Sequence, residues 1–353
     1  MYIDAHLDLA FNVVAHGRDL TQTVPDLRAA EAKAAQEVMV TLPELQGAGV
    51  GIVFGTIFTL PHHAKRPGAR KPLTAKQKAL MYRTPDEAHA KGVEQLDVYR
   101  RWEDDGWLRI LRSQTELAAH EAAWAEGDRT TGLVLLMEGA DPIRTPDELP
   151  WWVERGVRLV GPAWQRTRYS GGTFAPGPLT EIGRELVRAM TEAGVALDAS
   201  HLAHDAVWDA LDVLDASTNP AHVCASHSNA AALVPTDRHL TDAMLDALAE
   251  RDAVVGVVLG NPFVKNGVAR DDPEESVTLD DVRTQAAHLA GRLGWDRLGI
   301  GSDFDGGFGK QETPFGIERG ADFAKLGDAV PEAARAGFLG GNWLRWLRQA
   351  LPA

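Results

Sequence analysis

The first residues whose types and spacing could do chemistry are His6 and Asp8, which come shortly after the apolar pair Tyr2 and Ile3. Side chains alternate between the two faces of a β-strand, so residues two positions apart point the same way. An imidazole and a carboxylate therefore leave the end of this predicted strand together. Both groups bind divalent metal ions, although a His-x-Asp pair by itself also occurs by chance.

Four later stretches repeat this arrangement, in which an apolar run is followed by His, Glu or Asp. The residues at their ends are Glu138, His201, His227 and Asp303. Three imidazoles with two or three carboxylates suit Zn²⁺ or a similar divalent ion. Two such ions need a bridging carboxylate, for which Glu138 is the candidate, and together they make hydroxide available near neutral pH. Asp303, which is not needed as a ligand, could then carry a proton to the leaving group.

Each of these residues also has a structural interpretation. A buried histidine is more often satisfied by a backbone carbonyl than by a metal ion, and Asp303 with Asp305 in Gly-Ser-Asp-Phe-Asp-Gly could simply form a turn. The shared position of all six candidates at strand ends is hard to explain by core packing. The pattern therefore favours a metal site.

The elements that must position these residues are about eight predicted strands, which alternate with helices along the whole chain. This order predicts parallel βαβ units and an α/β fold, a (β/α)₈ TIM barrel whose site lies at the C-terminal strand ends. We expect one domain over residues 1–353. Residues 26–48 are predicted to be one helix and residues 61–82 an exposed loop.

Composition narrows the classes of protein and of metal site. The chain has 353 residues, 44% of them hydrophobic, and a net charge of −14, which argues against nucleic acid or an anionic membrane as partner. The single cysteine, Cys224, excludes an intramolecular disulfide and a cysteine-based zinc site. No apolar stretch is long enough for a membrane span and no leader precedes Tyr2, so a cytoplasmic protein is the default expectation.

The sequence resembles the renal (membrane) dipeptidase family, a branch of the amidohydrolase superfamily. The matching stretches occur in family order and span essentially the whole chain. They are Asp4-Ala-His6-Leu-Asp8, Met137-Glu138-Gly139, Leu197-Asp-Ala-Ser-His201, Ala225-Ser-His227-Ser-Asn, Asp237-Arg238-His239, Gly301-Ser-Asp303-Phe-Asp305-Gly306 and Gly340-Gly-Asn342-Trp-Leu-Arg345.

The resemblance implies a small-molecule substrate, a dipeptide that often carries a D-residue at its C-terminal side, hydrolysed by a hydroxide that bridges two zinc ions. By residue, it assigns His6, Asp8 and Glu138 to one zinc ion, and Glu138, His201 and His227 to the other. Asp303 would be the proton shuttle, and Arg238 would bind the substrate carboxylate, which suits a guanidinium group. Without the resemblance, a surface ion pair would be the preferred interpretation of Arg238. The resemblance also suggests a homodimer.

One position departs from the family pattern. Where the family has a histidine that touches the substrate carbonyl, this sequence has Trp164. Because an indole donates one hydrogen bond and cannot accept a proton, this position gives less help in the transition state, or Trp164 only forms the pocket wall and shifts specificity. Two alternatives to a dipeptidase therefore stay open. One is a hydrolase of another small amide, lactam or ester, and the other is a metal-retaining protein that binds peptides without turnover.

Overall fold

A computed structural model describes residues 1–31, 36–64, 75–269 and 272–353. Within these ranges, eight parallel strands follow one another around a barrel, which the bridge between Ala225 and Val255 nearly closes. The strands are β1 (Tyr2–Leu7), β2 (Val50–Phe58), β3 (Thr131–Glu138), β4 (Val157–Gly161), β5 (Ala196–Asp198), β6 (Val223–Cys224), β7 (Val255–Val257) and β8 (Leu298–Ile300). The order of neighbours is β6-β5-β4-β3-β2-β1-β8-β7, which confirms the predicted TIM-barrel class.

Helices connect these strands and cover the barrel. The α-helices of the described residues are Leu9–Phe11, Val24–Ala30, Leu42–Ala48, Ala75–Leu80, Pro85–Asp104, Gln114–Ala125, Leu149–Glu154, Glu181–Ala193, His204–Asp215, Asp242–Ala249, Asn261–Val264, Leu279–Leu293, Glu332–Ala336 and Asn342–Ala350. Short 3₁₀ segments are Pro146–Glu148, Glu274–Ser276, Trp295–Arg297, Lys310–Glu312 and Gly320–Ala329, and π-helical turns are Asn12–His16 and Gly337–Gly341.

Among the described residues, three shorter strand pairings lie outside the barrel path. Leu108–Ile110 pairs with the first half of β3, Leu60–Pro61 pairs with Met81–Tyr82, and Ser170–Gly172 forms an antiparallel hairpin with Ala175–Leu179. The hairpin matters most for function, because its turn carries Thr173, which contacts His201.

The barrel interior explains why Glu138 points into the site. Along β3, Val134 and Leu136 belong to the buried cluster that fills the barrel. Glu138 has the same strand parity and continues this inward face at the C-terminal end of β3. Trp343 and Trp346 of the last helix, Asn342–Ala350, belong to the same buried cluster. The alternation of a buried strand therefore directs a carboxylate toward the top of an apolar barrel.

The single helix predicted over residues 26–48 is wrong. Two helices, Val24–Ala30 and Leu42–Ala48, take its place; residues 36–41 between them are not helical, and residues 32–35 lie outside the described residues. Asp305 holds this stretch, because its carboxylate accepts hydrogen bonds of 3.0 Å from the backbone N–H groups of Met39 and Val40. Thr41 then caps the second helix.

The loop predicted over residues 61–82 is only partly irregular. Its last part forms a helix, Ala75–Leu80, and the strand Met81–Tyr82, which pairs with Leu60–Pro61. Residues 65–74 of the predicted loop lie outside the described part of the chain. The basic, proline-containing composition of this stretch concealed both short elements.

Candidate metal and active site

Glu138 lies at the centre of the candidate site and is buried. Its Oε2 atom is 3.5 Å from Nε2 of His6. Its Oε1 atom is 3.0 Å from Nε2 of His201 and 3.6 Å from Nε2 of His227. The two oxygens of one carboxylate therefore face two different sets of imidazoles, the arrangement expected of a bridging ligand.

Two groups of side chains around Glu138 could each hold a metal ion. The first consists of His6, Asp8 and Glu138, and the second of Glu138, His201 and His227; in each, the ligand atoms lie within 4.8 Å of one another. The hydroxyl of Thr56 donates to Oδ1 of Asp8 and fixes that carboxylate. All five predicted ligand residues are thus brought together.

His201 and His227 lie on loops, not on strands. Strand β5 ends at Asp198 and β6 ends at Cys224, so each histidine follows its strand by three residues. His201 has a backbone φ of 65°, which a residue other than glycine rarely adopts. The hydroxyl of Thr173 lies 2.9 Å from Nδ1 of His201 and orients its ring. The predicted ends of these strands were therefore wrong, although the predicted residues reach the site.

The charges of the cluster fit a divalent cation. Burial lowers the pKa of His201 to about 4 and that of His227 well below its ordinary value, so both imidazoles are neutral and each has one nitrogen with a lone pair. Burial would raise the pKa of Glu138, but the neighbouring histidines hold it below its ordinary value. Neutral imidazoles beside an ionised carboxylate are the donor set that zinc and similar ions prefer.

His6 gives a further indication that the donor set fits a metal ion. Its Nε2 atom is buried and has no hydrogen-bond partner in the described structure. Burial works against protonation of His6, but the charges of Glu138 and the other nearby carboxylates raise its pKa to about 9. A bound cation would supply the positive charge that protonated His6 otherwise provides, and would release that proton.

Asp303 is buried beside the first group and is not part of it. Its Oδ1 atom lies 3.9 Å from Nε2 of His6. Burial raises its pKa well above the ordinary value, with Asp8 and Glu138 adding to the effect. A Cβ atom at Gly306 would lie 1.7 Å from Oδ1 of Asp303, so the carboxylate needs a glycine at this turn. A protonatable carboxyl group thus stands next to the cluster.

Arg238 is buried and does not form the surface ion pair that was its alternative interpretation. Its guanidinium donates to Oγ of Ser228 at 3.1 Å and to the backbone carbonyl of His227 at 2.6 Å. Its Nε atom is buried with no hydrogen-bond partner among the described residues. A buried cation beside the second group is therefore available to an anionic ligand.

The model of the membrane dipeptidase family, peptidase family M19, matches residues 1–352. The chain belongs to this family. It is accordingly a hydrolase of metallodipeptidase type, built on the TIM barrel of the amidohydrolase superfamily. A metal-dependent family is consistent with the two groups around Glu138.

Comparisons with individual proteins are consistent with membership of this family. Dipeptidase tcpJ of Claviceps purpurea is 34% identical over 207 residues, which are 55% of this chain and 45% of that protein. The chain thus aligns with less than half of the length of this fungal relative. Among solved structures, the metallopeptidase dipeptidase AC is 25% identical, has a TM-score of 0.77, and is matched over 100% of this chain and 99% of its own.

A second solved structure is a metallopeptidase from Rhodobacter sphaeroides that holds a phosphinate mimic of the dipeptide L-Ala-D-Ala. It is 25% identical, has a TM-score of 0.74, and the match covers 99% of both chains.

In the part of our chain that the structure describes, no helix combines the length and apolar character that crossing a membrane requires.

Trp164, the departure from the family pattern, is half-buried beside the second group. Its ring centroid lies 6.3 Å from that of His201 and 5.1 Å from that of Phe58. The edge-to-face contact with Phe58 fixes the indole as an aromatic wall.

Asp4 and Asp198 are two buried carboxylates that the sequence did not single out. Asp4 accepts hydrogen bonds from the backbone and hydroxyl of Ser302 and so ties β1 to the turn after β8. Asp198 accepts from Ser226 and Ser200 directly behind the imidazoles. The alternation Asp4-x-His6-x-Asp8 and the position of Asp198 at a strand end were the signals that could have identified them.

Proposed function

We propose that the chain is a zinc-dependent dipeptidase that hydrolyses the peptide bond of dipeptides, including those with a D-residue at the C-terminal side. The observation that carries this proposal is that the two oxygens of Glu138 face separate imidazole groups, next to the buried cation of Arg238. The L-Ala-D-Ala mimic in the Rhodobacter sphaeroides relative supports the stereochemical part.

Two zinc ions would be held by the two groups. His6, Asp8 and Glu138 would bind one ion, and Glu138, His201 and His227 the other, with Glu138 bridging. Bound zinc would activate water as a nucleophile and polarise the scissile carbonyl. Glu138 would meanwhile hold the two halves of the site in a fixed relation.

The substrate would be oriented by its carboxylate. The Nε–H of Arg238 has no partner in the described part of the chain, and two of its other N–H groups are fixed by Ser228 and by the backbone of His227. Such a preorganised guanidinium is suited to a carboxylate. Trp164 would form the wall of the pocket that receives one substrate side chain.

Asp303 would carry the proton to the leaving amine. Its carboxyl is buried within 3.9 Å of Nε2 of His6, and its raised pKa favours uptake of a proton at neutral pH. A group that gains a proton easily and stands beside the reacting centre is suited to general acid–base work.

The deciding experiment is hydrolysis of a panel of L,L and L,D dipeptides by zinc-loaded protein, with Asp303→Asn as the test variant. We expect turnover by the wild type and a loss of at least about 100-fold in Asp303→Asn, with zinc content unchanged. Asp296→Asn, which removes a largely exposed carboxylate elsewhere, is the matched control and should behave as wild type.

Absence of turnover by a wild type that binds two zinc ions would contradict the proposal. The second candidate, which Trp164 favours, is hydrolysis of another small amide, lactam or ester, and such compounds would be assayed next. A protein that binds them without turnover would be a metal-retaining binding protein.

Three expectations stay predictions: a single domain over residues 1–353, a cytoplasmic location and a homodimer. Limited proteolysis, cell fractionation and light scattering, respectively, would test them.

A further inference from the structure

The hydroxyl of Ser226 lies between two of the candidate ligands. Its Oγ atom is 2.8 Å from Nδ1 of His227 and 3.3 Å from Nδ1 of His6, whose rings stack with centroids 3.5 Å apart. On its other side, the same Oγ atom donates to Oδ2 of Asp198 at 2.5 Å. Ser226 is fully buried, so no solvent competes for these contacts.

The hydrogens around Ser226 have one consistent arrangement. The hydroxyl of Ser226 donates to Oδ2 of Asp198, while Oδ1 of the same carboxyl group accepts from the backbone N–H groups of Ser200 and Ser226. The hydroxyl proton of Ser226 is therefore not available to an imidazole. The serine oxygen therefore faces His6 and His227 with its lone pairs, and a hydrogen bond to either ring requires that ring to donate from Nδ1.

An imidazole protonated at Nδ1 has its lone pair at Nε2. The Nε2 atoms of His6 and His227 point to opposite oxygens of Glu138, at 3.5 and 3.6 Å. We infer that Ser226, held by Asp198, is a positioning residue that sets the tautomer of one ligand in each metal group and so contributes to the affinity for both metal ions. This inference rests on the proposed pair of metal ions.

The hydrogen bonds of Asp198 argue against a third metal ion at this place. Asp198, His6 and His227 have potential ligand atoms within 4.8 Å of one another. However, both oxygens of Asp198 already accept hydrogen bonds, and the serine hydroxyl lies between the carboxylate and the two rings. The cluster therefore supports the ligands from behind, as outer partners of metal-bound histidines do.

Two neighbouring hydroxyls provide matched comparisons. Thr173 contacts Nδ1 of His201 alone, at 2.9 Å, so it acts on one group only. Ser200 is buried in the same cluster, but its Oγ atom accepts from the backbone N–H of His227 and lies 3.4 Å from Oγ of Ser226. Removing the hydroxyl of Ser200 thus creates a similar small defect without freeing an imidazole nitrogen.

The test is the affinity of each of two zinc ions, measured on the full-length protein by competition with a chromophoric chelator. We expect Ser226→Ala to lower both affinities by about 10- to 100-fold, the usual cost of losing such an outer partner. Thr173→Val should lower one affinity, and Ser200→Ala should change neither. Ser226→Thr, which restores the hydroxyl, should recover most of both.

Affinities of Ser226→Ala within threefold of wild type, or a loss confined to one ion, would overturn the inference. Should this variant not fold, ¹⁵N NMR of histidine-labelled, zinc-loaded wild type decides, because Nδ1–H is expected on both His6 and His227 and Nε2–H on either would overturn it. Wild type that binds two ions as described but cleaves no dipeptide would contradict the proposed function alone.

Discussion

Arg238 donates a hydrogen bond of 2.6 Å to the backbone carbonyl oxygen of His227. The side chain proposed to bind the substrate carboxylate is therefore fixed to the backbone of a proposed metal ligand. Because both groups belong to one short loop system after β6, the distance from the cation to the metal group is set by the fold. The last peptide bond of any peptide lies at a fixed distance from its C-terminal carboxylate and suits this arrangement, and in a dipeptide that bond is the only one.

Replacement of Arg238 by alanine should raise KM for dipeptides strongly. The lost charge-assisted hydrogen bonds correspond to about 1.5–3 kcal/mol, or roughly 10- to 150-fold in KM. Steady-state kinetics on an L,D dipeptide would measure the change. An unchanged KM would count against the carboxylate-binding role.

A substrate comparison separates this role from damage to the pocket. A dipeptide whose C-terminal carboxylate is replaced by an amide has no anion for Arg238. We expect wild type to discriminate strongly against the amide and Arg238→Ala to discriminate little. Equal loss on both substrates would instead indicate that the variant disturbs the loop of His227.

Trp164 should act through its shape and not through its indole N–H. Trp164→Phe keeps the aromatic contact with Phe58, so kcat/KM should stay within about threefold of wild type. A change of about threefold is no more than the loss of one weak neutral hydrogen bond would cause. Trp164→Ala removes the wall and should change the preference among substrate side chains. Competition assays with dipeptides of increasing side-chain size would measure it, and a large loss in Trp164→Phe would show that the N–H matters.

Glu138→Gln should release both metal ions, whereas His201→Ala should mainly weaken one. An amide is a much poorer ligand than a carboxylate for zinc, and both oxygens of Glu138 are engaged. Metal analysis after dialysis would give the stoichiometry, and thermal unfolding would show a lower Tm because bound metal stabilises the folded state. Retention of both ions by Glu138→Gln would refute the bridging role.

Strand alternation decided which parts of this site the sequence predicted well. His6 and Glu138 lie within strands, so their inward direction follows from the apolar residues before them. His201 and His227 follow the strand ends by three residues, and no periodicity predicts a φ of 65° at His201. Their identification depended on residue type and on the family motifs.

The sequence alone could not predict contacts between segments that are far apart in the chain. Asp305 holds Met39 and Val40 across more than 260 residues, and no local pattern indicates that the predicted helix over 26–48 must break there. Similarly, Asp198 and Ser226 meet only because β5 and β6 are neighbours in the barrel. Such hydrogen bonds depend on topology, which alternation fixes only after the barrel has formed.

His120 lies away from the site, and we expect its protonation to lower the free energy of unfolding at acid pH. It is buried, its Nε2–H donates to the carbonyl of Gly51 at 2.9 Å, and its Nδ1 atom has no partner among the described residues. Burial lowers its pKa below the ordinary value, so the unfolded chain binds a proton more readily than the folded one. The contribution of neutral His120 to the free energy of unfolding is therefore complete above pH 6.5. It is lost as the pH falls toward the pKa that His120 has in the folded protein.

The pH dependence of unfolding in urea, compared between wild type and His120→Gln, would measure this contribution. The glutamine amide can still donate to Gly51 but does not titrate. We expect wild type to lose more free energy of unfolding between pH 7.5 and 5.5 than the variant, by up to about 1.4 kcal/mol for each pH unit below the ordinary histidine pKa. Because both proteins keep the same metal site, its own pH dependence cancels, and parallel curves would show that His120 is protonated equally in both states.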